Sequence, residues 1–64
     1  MKALKDKLLE GIQEMIGMCE QCKAMVEAGK IDYDVTDILA EDLPKKSEAL
    51  YKEIMRVKRP ELVP

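Results

Sequence analysis

The chain has no histidine, asparagine, phenylalanine or tryptophan, and its 64 residues include one serine and one threonine. Without histidine there can be no Ser-His-Asp triad, no Cys-His pair and no zinc site of mixed Cys/His type. With two tyrosines as the only aromatics, a core must be built from aliphatic and methionine side chains. Long apolar runs are also missing. Nothing approaches the roughly 18 residues needed to span a bilayer, and no secretory h-region follows the opening Met-Lys-Ala-Leu-Lys-Asp-Lys. Neither a membrane span nor a leader is therefore expected, and the expected compartment is the cytoplasm, where thiols stay reduced. Positive charge is not in excess either: 11 basic and 13 acidic side chains leave a formal charge of −2. Nucleic-acid binding needs a strongly basic face, which this balance does not supply.

What the chain does have is 47% hydrophobic and 38% charged residues. That composition predicts one folded helical domain over residues 1–64 and not a disordered chain. A chain of about 60 residues buries only about 60% of its unfolded surface, so its own core is marginal.

Residues 2–28 contain no proline and read as one helix. Met1, Leu4, Leu8, Ile12, Met15, Cys19, Cys22 and Val26 recur every three or four positions, the spacing of a packed seam. At 100° per residue, Leu9 and Ile16 widen this band on one flank, and Met18 and Met25 on the other. The band then covers roughly 200°, about twice what one packed partner needs. Gly11 falls inside it, where a neighbouring backbone can approach closely; Gly17 points away and costs about 1 kcal/mol relative to alanine.

Gly29 suits the left-handed position just past a helix end, and Asp34 is the expected N-cap of the next helix. Residues 34–58 read as this second helix, with Leu39, Leu43, Leu50, Ile54 and Val57 on one face and Ser47 continuing it. Arg56, Lys58 and Arg59 complement the dipole at its end. Pro44 either kinks this helix or breaks it, and the unbroken apolar phase across it favours a kink. The expected architecture is all-α: an antiparallel helical hairpin turning near residues 29–33, dimerising into a four-helix bundle because a lone hairpin has a single seam.

Two motifs raise the possibility of chemistry. Cys19 and Cys22 form a Cys-x-x-Cys. Redox sites place this motif at a helix N-terminus beside a sheet, and zinc ribbons need a second pair in the same chain. Here it lies inside a helix at the centre of the apolar band, so core packing is the first reading. A Cys₄ metal or redox site shared across a dimer seam is the alternative. Asp32, Asp34 and Asp37 resemble the start of a calcium loop, but its sixth and twelfth positions hold Asp37 and Leu43 where glycine and glutamate are required. The charged residues of the second helix suit i,i+4 pairs at Glu41–Lys45, Asp42–Lys46 and Glu48–Lys52.

No catalytic residue, cofactor or metal is therefore expected. The chain reads as a non-enzymatic interaction module, an adaptor, chaperone or regulatory subunit, that self-associates and binds a protein partner. Its expected interface residues are Leu8, Leu9, Ile12, Met15, Ile16, Met18 and Met25.

Overall fold

The computed structural model describes residues 3–62, with side chains for residues 3–58. Met1, assigned above to the seam, and the Arg59 side chain lie outside the described residues. Helix α1 spans Leu4–Glu27. A second helical arm comes after it: α2 over Tyr33–Asp37, a π turn over Ile38–Asp42, and α3 over Leu43–Leu62. The arms pack antiparallel, and all regular elements among the described residues are helical.

The reversal between the arms is built by local chemistry. Gly29 takes φ 78°, a conformation that side chains with a Cβ rarely adopt. Its N–H donates to the Val26 carbonyl at 2.9 Å, and the Lys30 N–H donates to the Met25 carbonyl at 2.8 Å. Together these bonds form a Schellman cap that satisfies the last carbonyls of α1. The second arm starts at Tyr33, one residue earlier than expected, and its cap lies two residues earlier. Its N-cap is Asp32 and not Asp34: the Asp32 carboxylate accepts from the Asp34 N–H at 3.0 Å. Either aspartate can cap, but starting at Tyr33 adds the turn that carries Val35 and Ile38 into the core.

The π turn shows how the chain accommodates Pro44. Proline has no N–H, and in an α-helix its ring would crowd the carbonyl of Ala40. The turn before it widens: the Leu43 N–H donates to the Ile38 carbonyl, five residues back. The backbone stays helical through Asp37, Ile38 and Leu43, so the arm is kinked and not broken. The widened turn also takes up one extra residue and shifts the helical phase. The inward positions run Val35, Ile38, Leu43, Leu50 and Ile54, with a step of five across the π turn. The expectation that Leu39 and Val57 lie in the seam is corrected: they are 55% and 44% exposed, and Ser47 is also exposed. The arm also continues to Leu62, past the expected end at Lys58.

Inside the hairpin α1 presents Leu4, Leu8, Gly11, Met15, Met18, Cys22 and Met25, alternating steps of four and three. Gly11 is the notch in this row. A Cβ built there would collide with Leu50, meeting its Cδ1 at 2.9 Å and its Cγ at 3.0 Å as well as Cδ2. What approaches Gly11 is thus the Leu50 side chain and not a neighbouring backbone. Among the described residues Cys22, Val35 and Ile38 form the buried hydrophobic cluster, with Met18, Met25 and Leu43 packed against it. The molecule measures 45 × 23 × 16 Å, two helices side by side in a single layer.

Candidate interaction surface

One edge of the hairpin is laced by charge. Lys7 bridges the arms to Glu53 at 3.1 Å, and Lys46 pairs across to Glu14. Within the second arm, Lys52 pairs with Glu48 at 3.1 Å and Arg56 with Glu53. The bond from Arg56, then that from Lys7, holds the Glu53 carboxyl below the usual glutamate value. Lys46, expected to pair with Asp42, reaches Glu14 on the other arm. The two pairs between the arms lie on the Gly11–Leu50 side of the seam and leave the other flank of α1 uncovered.

That flank carries a second apolar row. Leu9, Ile12, Ile16 and Val26 are 54%, 46%, 43% and 46% exposed, and Cys19 is exposed with them. They repeat the inward row displaced by one residue: 8 and 9, 11 and 12, 15 and 16, 18 and 19, 25 and 26. In each pair the first member faces the second arm and the next faces out. The two remaining pairs place Lys5 after Leu4 and Lys23 after Cys22, so one lysine heads the outer row and another interrupts it. At the open end of the hairpin, Leu4, Leu8, Leu9 and Ile12 line a shallow apolar groove of about 460 Å³ flanked by Lys5 and Lys58. Tyr51 and Ile54 precede Lys58 by seven and four residues and so share its side of the second arm.

The residues assigned to an interface from sequence therefore divide in two. Leu9, Ile12 and Ile16 lie on the open surface, and Leu8 and Met15 are half-buried in the seam. Met18 and Met25 pack against the hairpin's own core. Ile12, Cys19 and Val26, which their spacing alone assigns to the seam, belong to the outer row. The signal for this division is the doubled row itself: two interleaved series of steps three and four cannot both face one helix.

The cysteines divide likewise. Cys22 is 6% exposed in the core and Cys19 faces outward, so the reading of both as core side chains holds for Cys22 alone. Among the described residues no three His, Cys, Asp or Glu side chains come together as a metal cage. No described helix is long and apolar enough to cross a membrane. Comparison with protein families, curated proteins and solved structures yields no match to this chain.

Proposed function

We propose that the chain is a small non-enzymatic protein-interaction module, an adaptor, chaperone or regulatory subunit, that self-associates and offers the outer row of α1 to the helices of a protein partner. The observation that carries this reading is the exposed line of Leu9, Ile12, Ile16, Cys19 and Val26. Isolated exposed apolar residues are ordinary, but a contiguous row in helical register is the surface that helix-in-groove and bundle docking use. The ionisable groups favour the same reading. Glu53 is held ionised by its ion pairs with Arg56 and Lys7 instead of being tuned for proton transfer near neutrality. Burying Cys22 while Cys19 faces out works against a four-sulfur site at a dimer seam, because gathering both thiols would require opening the core.

Ile12→Asp tests the proposal. Ile12 is 46% exposed, so the hairpin retains its helix content while the row loses its apolar continuity. Assemblies that the wild-type chain forms, with its own copy or with another protein, should be lost with the variant. An identical set of bound proteins in both would refute the outer row as the docking surface.

A further inference from the structure

We infer that the outer row of α1 is occupied by a second copy of this chain, packed antiparallel about a two-fold axis passing between Ile16 and Cys19. This inference rests on the reading of that row as a docking surface and specifies what docks there. Three observations support it.

The first is area. A compact monomer of 64 residues exposes about 4200 Å², whereas this chain exposes 5175 Å². The excess, roughly 1000 Å², is spread over the open hairpin and is enough to supply the ~800 Å² that each partner buries in a stable interface. The second is the row's own complementarity. Run antiparallel against its copy, Leu9 meets Val26 of the other chain and Ile16 meets Cys19, while Ile12 lies beside the aliphatic stem of Lys23. The third is charge. Residues 4–10 and 53–58 at the open end of the hairpin hold four bases, Lys5, Lys7, Arg56 and Lys58, and three acids. Residues 27–42 at the turn end hold six acids and one base, Lys30. Antiparallel pairing sets each acidic turn end on the other copy's nearly balanced open end, whereas parallel pairing would juxtapose the two acidic turn ends.

The two layers of two helices form a four-helix bundle with Cys19 enclosed at its middle. Cys19 is then a built-in reporter, and buried Cys22 is its internal control. The test uses the full chain. Sedimentation gives the mass, and the rate at which a thiol reagent labels Cys19 is followed over a dilution series. Copies with and without ¹⁵N are mixed and joined by a zero-length carbodiimide, so that links between copies are distinguished by mass. The expected result is a dimer in which Cys19 labelling slows as the dimer fraction rises. Links between copies should run from Lys5 or Lys58 to Glu27, Asp32 or Asp34. Ile16→Glu places two uncompensated charges on the axis and should weaken the dimer by at least about 100-fold. The same change should leave Cys19 labelling independent of concentration.

A monomer at every concentration overturns the inference. The docking-surface reading would then still stand if a foreign protein shields Cys19. A dimer with freely reactive Cys19, or one whose links join like ends, overturns the face and the orientation. If Ile16→Glu fails to fold, the wild-type dilution series and the links decide the matter.

Discussion

Alanine at the two interior glycines of α1 should change stability in opposite directions, although they lie six residues apart on one helix. Glycine in a helix interior costs about 1 kcal/mol relative to alanine. At Gly17 an added Cβ meets nothing within 4 Å, so Gly17→Ala should gain nearly all of that amount. At Gly11 the same gain is opposed by Leu50, whose Cδ1 and Cγ stand at 2.9 and 3.0 Å from the new atom with Cδ2 closer still. Overpacking of this kind costs about 1–3 kcal/mol. Gly11→Ala should therefore be neutral to about 2 kcal/mol destabilising, and the two variants should differ by roughly 1–3 kcal/mol. In a domain of this size each kcal/mol moves the melting temperature by about 4–8 °C, well within reach of thermal unfolding followed by circular dichroism at 222 nm. Both variants must be compared at one protein concentration, because association adds to apparent stability. Combining Gly11→Ala with Leu50→Ala should recover part of the loss, the non-additivity expected of two groups in contact. Equal stabilisation by both alanines would mean that Leu50 does not seat in the Gly11 notch, and the packing register of the arms would be wrong.

Other substitutions probe the turn, the phase of the second arm and its charge. Gly29→Ala forces a Cβ into φ 78° and should destabilise by about 1–2 kcal/mol in urea unfolding. Asp32→Ala removes the cap and should cost about 1 kcal/mol while Asp34→Ala costs less; the reverse order would return the cap to Asp34. Ile38→Ala should cost about 2–3 kcal/mol and Leu39→Ala under about 1, since Ile38 is buried and Leu39 is not; the opposite ranking would remove the phase shift of the π turn. Glu53 has its folded pKa lowered from 4.5, chiefly by Arg56 and then by Lys7. Its ion pairs therefore stabilise the fold at pH values above 4.5, and that contribution is lost as pH falls through the lower folded value. Wild type should lose more stability than Glu53→Gln on acidification from pH 6 to pH 3, and parallel losses would refute the pairing.

The features legible in the sequence are those set by short-range chemistry. Steps of three and four mark α1 over nearly its whole length, Gly29 marks the reversal, and Pro44 marks the irregularity. The candidate surface is half legible. Leu9, Ile12 and Ile16 can be named from the excess width of the apolar band. Which flank of that band meets the second arm cannot, because the periodicity of α1 is symmetric about the centre of its band. The flank is chosen by the other arm: Val35 and Ile38 pack against Met18, Met25 and Cys22, and Lys46 and Glu53 pair with Glu14 and Lys7 on that same side. The phase of the second arm is hidden for a related reason. Leu39, Leu43 and Leu50 fit a regular helix as well as Ile38, Leu43 and Leu50 fit one with a π turn. Only the packing partner across the hairpin distinguishes them.

The π turn also bears on how this chain can change in length. Losing one residue from a regular helix swings every later side chain by 100°, and here it would carry Leu50 out of its notch. Residues 38–42 are the exception. Deleting Ala40 turns the step of five between Ile38 and Leu43 into a step of four, which an ordinary α-helix supplies, so both ends of the arm keep their inward faces. The cost falls on Pro44, which would then stand in a regular helix without its widened turn. Related chains that are one residue shorter within this segment should therefore also have replaced the proline, and a shortening elsewhere in the arm should require the hairpin to be rebuilt.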